Sequence, residues 1–141
     1  MRILVRFSLA VGLGLGVAAC QLNSRDQILA SDKSQVALRA VSTRAFDTAD
    51  RNLTIRSTIA TLQDLGFVVD KADEALGTVS ATKLAGYTLR MTVTVRPRGS
   101  RQMVVRASAQ YNLEAVSDAK PYQQFFAAME KAMFLTANAI D

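Results

Sequence analysis

The chain has 141 residues, which is enough for one domain with a core of its own. It contains no histidine and a single cysteine, so an internal disulfide is impossible and a zinc site of Cys and His ligands is excluded. The commonest general base of enzymes is therefore absent as well. The net charge of +5 is mildly basic and does not by itself indicate nucleic acid.

Residues 1–19 have the pattern of a secretory signal peptide. Arg2 and Arg6 make a basic start, and the uncharged, mostly apolar run FSLAVGLGLGVAA follows. This run is shorter than the roughly 20 apolar residues of a transmembrane helix, and it ends in small residues. We therefore expect this segment to be removed from the mature protein.

The four residues VAAC at positions 17–20 resemble the lipobox of bacterial lipoproteins. The resemblance implies that the sulfur of Cys20 receives a diacylglyceryl group and that the new amino group is acylated after cleavage. The residue after the cysteine is Gln21, and in this position the chain resembles lipoproteins that are sorted to the outer membrane and face the periplasm. An ordinary signal peptide that ends in Ala-Ala-Cys is the alternative. The lipid on Cys20 is the only cofactor expected, and no metal is expected.

Residues 20–36 are mostly polar and show no clear period, which predicts a lipidated tether. A short helix over residues 26–30 is the alternative. A single α+β periplasmic domain is predicted over residues 37–141, because the pattern is regular from there on.

The domain is expected to open with an extended segment over residues 37–46 and a helix after it. Asp47 or Thr48 suits the N-cap of this helix, with Asp50 in the first turn. The predicted buried face consists of Ile55, Ile59, Leu62 and Leu65 or Gly66. Gly66 is expected to end the helix in a left-handed conformation.

The middle of the domain predicts four strands. The first covers residues 67–70 and the second 78–84, and an acidic turn that ends at Gly77 separates them. Two longer strands follow, joined by a turn at residues 97–100. Their predicted inward-facing residues are Tyr87, Leu89, Met91, Val93, Val95, Met103, Val105, Ala107, Ala109, Tyr111 and Leu113. Polar residues alternate with them, which is typical of an antiparallel sheet covered on one face only.

A final helix begins near Pro121 and supplies the cover for this sheet. Its apolar stripe consists of Phe125, Met129, Ala132, Met133 and Thr136, with Tyr122, Phe126 and Ile140 beside it. The predicted fold class is α+β. It is an antiparallel β-meander of about four to five strands with two helices packed on one face, a helix-grip-like arrangement.

The stretches TRAFDTAD, LQDLGFVVD, LGTVSATK and YQQFFAAMEKAMFL resemble an uncharacterised family of bacterial lipoproteins. The resemblance covers residues 43–137. It implies a lipoprotein domain and adds no catalytic residue. The layout from Leu65 to Thr78 is also similar to the helix-grip domains of the accessory lipoprotein of the outer-membrane β-barrel assembly machine.

A basic region coincides with the two long strands. It contains Arg90, Arg96, Arg98, Arg101 and Arg106, with Glu114 as the one acid between residues 84 and 116. Alternation places three of these arginines on the polar face of the sheet. They form either a solvated outer face or a docking surface for an acidic partner, lipid head groups or other envelope anions. Few aromatic residues are interleaved, so nucleic acid is not expected.

Two other kinds of site have weaker support. Asp70, Asp73 and Glu74 cluster at one turn, but acids in a short hairpin usually serve solvation and the EF-hand pattern is absent.

A cavity between the layers would make the domain a carrier of lipid or another apolar ligand. Its lining would be Met91, Met103, Phe125, Met129 and Met133, although methionines also fill irregular cores.

The sequence thus predicts a non-enzymatic protein of the bacterial cell envelope, anchored by lipid and facing the periplasm from the outer membrane. It is expected to serve as an accessory or assembly component of an export, efflux or barrel-assembly complex, with an envelope protein as its partner. The carrier of an apolar ligand is the alternative function.

Replacement of Cys20 by alanine is expected to abolish acylation, because the sulfur that would receive the lipid is lost. The variant should lack the added acyl mass and should leave the membrane fraction, since acyl chains hold a protein by about 0.8 kcal/mol per buried CH₂. Cell fractionation and intact mass measure both effects, with Asn23→Ala as the control. Unchanged fractionation and mass would contradict the predicted anchor.

Overall fold

The computed structural model describes the backbone of residues 34–138 and the side chains of residues 34–134. The chain divides after Val36, and the fold reported below is that of the unit Ala37–Asp141. Cys20, the predicted signal peptide and most of the predicted tether lie outside the described residues. So do Ile140 and the side chain of Thr136.

Within the described residues the chain forms three helices and an antiparallel sheet of six strands, which confirms the α+β fold. Helix α1 spans residues 34–42. The elements that follow are β1 (Thr43–Phe46), α2 (Arg51–Asp64), β2 (Val68–Asp73), β3 (Thr78–Leu84), β4 (Thr88–Arg98), β5 (Gln102–Tyr111), β6 (Glu114–Ala115) and α3 (Lys120–Asn138).

The strands lie in the order β1-β5-β4-β3-β2, and β6 also pairs with β5. Strands β2 to β5 form the predicted meander. The outer edge of β5 is shared, because β1 pairs with Met103 to Arg106 and β6 pairs with Gln110 and Tyr111. The strand count is slightly above the prediction, since β1 and β6 are too short to show alternation in the sequence.

The start of the domain differs from the prediction. Residues 37–42 belong to α1, and only residues 43–46 are extended. Strand β2 likewise begins at Val68 and runs on to Asp73, into the segment predicted as a turn. A β-bulge between Val69 and Lys71 shifts the register of this edge strand against β3, and the pairing then continues from Lys71 to Asp73.

Asp50 is the N-cap of α2, in place of the predicted Asp47 or Thr48. Its carboxylate accepts a hydrogen bond from the backbone N–H of Leu53 at 2.8 Å. Thr48 instead stabilises the turn before the helix, since its hydroxyl accepts from the N–H of Asp50 at 3.1 Å. Gly66 has φ +82° and follows the last turn, as predicted.

The buried face of α2 is rich in hydroxyl groups. Thr54, Ser57, Thr58 and Thr61 are buried beside Ile55 and Leu62, while Ile59 and Leu65 are only partly buried. Three of the hydroxyls donate to carbonyls four residues earlier, as in the bond from Thr58 to the oxygen of Thr54 at 2.9 Å. These bonds remove the cost of burying polar groups, so short side chains can pack the helix closely on its neighbours.

The core lies between the sheet and helices α2 and α3. Helix α2 contacts β2, β3 and β4, and α3 contacts α2 and β5. The predicted inward row of β4 and β5 is buried from Leu89 to Val95 and from Met103 to Ala109. Phe125, Phe126 and Met129 of α3 are at most 1 % exposed and fill the space above it.

Two predicted core residues lie outside this core. Leu113 is 94 % exposed and Tyr87 is 47 % exposed. Strand β5 ends at Tyr111 and Asn112 takes a positive φ of 53°, so the alternation is broken before Leu113 is reached. Tyr87 lies before the first residue of β4 and packs its ring edge-on against Tyr111 at 5.1 Å.

The hydroxyl of Tyr122 ties α3 to the edge of the sheet. It accepts a hydrogen bond from the N–H of Ala109 at 3.2 Å and donates to the carbonyl of Val116 at 2.8 Å. These backbone groups lie in β5 and just beyond β6, so one phenol completes the pairing between them. Burial raises the pKa of Tyr122 above 10.0, and the bond from Ala109 partly opposes that rise.

Gly77 allows two backbone segments to approach closely. It has φ +64°, and its carbonyl accepts from the N–H of Val95 at 2.7 Å. A Cβ at this position would lie 2.5 Å from the carbonyl oxygen of Val95 and 2.8 Å from a guanidinium nitrogen of Arg51. Arg51 is itself held there by a bond to the oxygen of Ala75 at 2.9 Å. The position therefore requires glycine for its space as well as for its φ.

Gly77→Ala is expected to destabilise the domain more than Gly99→Ala does. Both glycines have a positive φ, at 64° and 63°, so both variants carry a backbone cost of about 1–2 kcal/mol. Only Gly77 adds a clash, because nothing lies within 4 Å of a Cβ at Gly99. Chemical denaturation measures the difference, and equal losses would contradict the close approach described at Gly77.

Tyr122→Phe is expected to lower the free energy of unfolding by about 1–3 kcal/mol, because two buried backbone groups lose their partner. Tyr111→Phe, which removes a hydroxyl at the surface end of β5, should cost much less.

The pKa of Tyr122 is raised on folding, so the stabilisation holds below about pH 10 and is lost as the pH rises further. Above about pH 10, the free energy of unfolding should therefore decrease less with rising pH for Tyr122→Phe than for the wild type. Denaturation at a series of pH values measures this difference.

Candidate docking face

The face of the sheet opposite the helices is polar and exposed to solvent; we call it the open face. Side chains of β3, β4 and β5 alternate strictly, so every second residue points to this side. Its members are Thr78, Ser80, Thr82, Arg90, Thr92, Thr94, Arg96, Arg98, Gln102, Val104, Arg106, Ser108 and Gln110. These members include four of the five predicted site arginines and no acid, while Asp70 of the neighbouring edge strand β2 bonds to Thr82 of this face at 2.6 Å.

The fifth predicted arginine, Arg101, lies in the turn between β4 and β5. All five are exposed, as the prediction of a polar face requires. The register places Arg96 opposite Val104 and Arg106 opposite Thr94, so the two arginines are diagonal neighbours on adjacent strands. Diagonal residues have side chains about 7–8 Å apart at their bases, within reach of one extended ligand.

Hydroxyl groups separate the arginines along the open face. Ser80 and Thr92 lie 3.3 Å apart between their oxygens, and the hydroxyl of Ser108 donates to the carbonyl of Thr92 at 3.3 Å. Arg90 lies one step beyond this row, towards the β3–β4 turn. The surface thus offers guanidinium and hydroxyl donors together, which is the donor set that carboxylates and phosphates bind.

The open-face arginines have few partners within the described part of the chain. Arg106 donates a long bond of 3.4 Å from Nε to the hydroxyl of Thr43. Arg90, Arg96, Arg98 and Arg101 make no ion pair and no hydrogen bond to another described side chain. Their positive charge is therefore not neutralised on the described surface.

Two acids approach this surface, Asp70 beside Thr82, which pairs with Arg90, and Asp47 at the far end. Asp47 accepts a hydrogen bond from the side-chain amide of Gln102 at 2.6 Å. It lines a shallow depression with Arg98, Ser100 and Arg101, at the end of the β4–β5 hairpin. The positive field is thus reduced near Arg98 and Arg101 by Asp47 and near Arg90 by Asp70, and it is least opposed around Arg96 and Arg106.

Other arginines of the domain have structural contacts that the sequence does not reveal. The guanidinium of Arg44 donates to the carbonyl of Ala40 at 2.9 Å and lies 5.4 Å from the centre of the Phe126 ring. Arg51 bonds to the β2–β3 turn, as described above. These two differ from the open-face arginines because β1 and α2 turn them towards the protein.

The acidic turn has a structural role in the described fold. Asp70 accepts a bond from the hydroxyl of Thr82 at 2.6 Å, and Asp73 accepts one from the N–H of Leu76 at 2.9 Å. Among the described residues, no group of three or more acids, cysteines or histidines lies close enough to hold a metal. Both aspartates are therefore occupied in holding β2 and its turn.

A groove of about 380 Å³ opens at the end of the helix–sheet interface. Phe67, Leu89 and Met91 form its apolar floor, and Tyr87 and Tyr111 form one wall. Of the five residues predicted to line a ligand cavity, Met91 alone borders this groove. Met103, Phe125 and Met129 are buried in the core and Met133 packs against it. Lys83 at the rim already donates to the carbonyl of Leu65 at 2.8 Å.

Comparison of the sequence with protein-family models and with curated proteins finds no match. The resemblance to bacterial lipoproteins therefore stays a prediction based on the motifs. None of the described helices is both long and apolar enough to cross a membrane.

Proposed function

We propose that this protein is a non-enzymatic, lipid-anchored component of the bacterial cell envelope that docks an acidic protein partner on its open face. Cys20 would hold it at the outer membrane, facing the periplasm. The domain would then act as an accessory or assembly subunit of an export, efflux or barrel-assembly complex.

The observation that supports this proposal is the set of unneutralised arginines on the open face. A solvated surface normally mixes charges of both signs, which keeps a protein soluble at no electrostatic cost. Here Arg90, Arg96 and Arg106 stand among hydroxyl and amide groups, and β4 and β5 contain no acid at all. Arginine is also the residue that best recognises carboxylates, because its planar fork donates two parallel hydrogen bonds.

The shape of the open face favours a protein over a small anion. The arginines are spread along two strands of ten and eleven residues and do not converge on one point. Val104 lies among them, half-buried, and offers a small apolar contact. A broad polar surface with scattered guanidinium groups and one apolar side chain suits a flat, acidic protein surface.

Reversal of charge on the open face is expected to release the partner. Arg90→Glu combined with Arg96→Glu places acids against an acidic surface, and like charges across an interface cost several kcal/mol. Each 1.4 kcal/mol is a tenfold loss of affinity, so crosslinked partner should fall by at least about tenfold. Crosslinking in cells with quantitative mass spectrometry measures this loss.

The matched control is Arg39→Glu with Arg56→Glu, which makes the same change in net charge on exposed positions of α1 and α2. It should leave the crosslinks intact. The docking proposal fails if both double variants lose the partner equally, or if neither does. Circular dichroism of each variant confirms that the domain still folds.

A further inference from the structure

One end of the sheet presents a cluster of large apolar side chains to solvent. Leu84 is 79 % exposed, Leu113 is 94 % exposed and Tyr87 is 47 % exposed. They stand on the β3–β4 and β5–β6 turns, which lie side by side: Leu84 and Tyr87 border one shallow surface with Asn112. We call these three residues the apolar tip.

The turns that carry the apolar tip are ordered. The N–H of Asn112 donates to the carbonyl of Thr88 at 2.8 Å, and the N–H of Thr88 is 3.4 Å from the side-chain oxygen of Asn112. Tyr87 is braced by its edge-on contact with Tyr111. The positive φ of Asn112 ends β5 and turns Leu113 outward. The apolar side chains are thus held away from the core by a defined backbone.

The opposite end of the sheet is polar. Its β2–β3 and β4–β5 turns expose Glu74, Ser100 and Arg101, and Asp73 and Arg98 flank them. Leu76 is the large apolar residue there, at 57 % exposed. The two ends of the same sheet therefore differ in the chemistry they present, although both consist of hairpin turns. Three large apolar side chains are thus exposed at the apolar tip and one at the polar end, and a concentration of exposed apolar side chains is typical of an interaction site.

The geometry of the apolar tip points to a lipid surface as its occupant. Leu84 and Leu113 project from the ends of the turns, while Tyr87 also forms part of the wall of the groove described above. A fluid layer accommodates the two projecting leucines without a matching cavity. Leucine favours the acyl region, and tyrosine favours the boundary where its ring is apolar and its hydroxyl is hydrated. We propose that the apolar tip inserts into the membrane surface and fixes the orientation of the domain.

The proposal rests on the proposed membrane anchor at Cys20. Helix α1 begins at residue 34, so the chain between Cys20 and the helix is residues 21–33, which span at most about 45 Å when extended. The domain therefore stays close to the bilayer and any of its surfaces can reach it. Three side chains bind a membrane weakly by themselves, but a tether makes their contact intramolecular and raises its effective concentration. With the apolar tip in the lipid, the strands run away from the membrane and the open face points sideways, towards neighbouring envelope proteins.

The experiment places a dye at each end of the sheet in the full, purified protein. Leu113→Cys and Leu84→Cys report on the apolar tip, and Leu76→Cys is the matched leucine at the polar end. Acylation blocks the sulfur of Cys20, so an environment-sensitive dye reacts with the new thiol alone. The protein is reconstituted in vesicles of phosphatidylethanolamine and phosphatidylglycerol. Dye emission and quenching by aqueous iodide are then measured with and without vesicles.

We expect dyes at positions 113 and 84 to shift to shorter wavelength and lose iodide quenching on vesicles, while the dye at 76 changes in neither respect. Equal behaviour at both ends overturns the proposal, and so does the absence of any shift. A shift at 113 without vesicles that grows with protein concentration also overturns it, because the apolar tip then meets a second copy.

Intact mass of the same preparation reports acylation separately. If Cys20 proves not to be acylated, it is replaced by serine and an N-terminal histidine tag holds the chain on vesicles that contain a nickel-chelating lipid. The dye readout then tests the apolar tip in the same way. Failure of the charge-reversal experiment would remove the acidic partner and leave this result unaffected, since the two surfaces and readouts differ.

Discussion

The strict alternation of β4 and β5 is the constraint on which the rest of the structure depends. One side of this hairpin buries an unbroken row from Leu89 to Val95 and from Met103 to Ala109, which only a cover of helices can protect from water. The same alternation sends every intervening side chain to the opposite side. The core and the open face are therefore two results of one pattern, and a slip of one residue would exchange them.

The proposed docking on the open face and the proposed membrane contact of the apolar tip use different parts of this hairpin. The arginines lie along the strands, where the pleat holds them at fixed spacing, and the apolar residues lie on the turns. A surface held by paired strands is rigid, which lowers the entropy lost on binding. The hydroxyl of Tyr122 contributes to this rigidity, since it joins α3 to the outer edge of β5.

The sequence predicted the features that depend on long, regular patterns and missed those that depend on single contacts. Alternation and turn residues were enough to predict the α+β class, strands β3 and β4, the end of α2 at Gly66 and the exposure of the five arginines. The N-cap at Asp50, the pairing of β1 and β6 and the bridge at Tyr122 did not. The strand pairing and the bridge are hydrogen bonds between segments that no local period connects, and the N-cap was missed because Asp47, Thr48 and Asp50 are all residues that suit a cap. The hydroxyl face of α2 was missed because threonine gives little hydrophobic signal.

The shared edge of β5 has a consequence for the order in which the chain assembles. Strand β1 is synthesised first, yet its partner residues follow about sixty positions later, as in the pair of Thr43 with Arg106. The meander of β2 to β5 forms between neighbours in sequence, whereas closure of β1 requires contacts of long range, which form slowly. Until then β5 offers an unpaired edge to other chains. That interval ends when β1 pairs with residues 103–106 and the Tyr122 hydroxyl of α3 bonds to Ala109 and Val116, which together cover the edge.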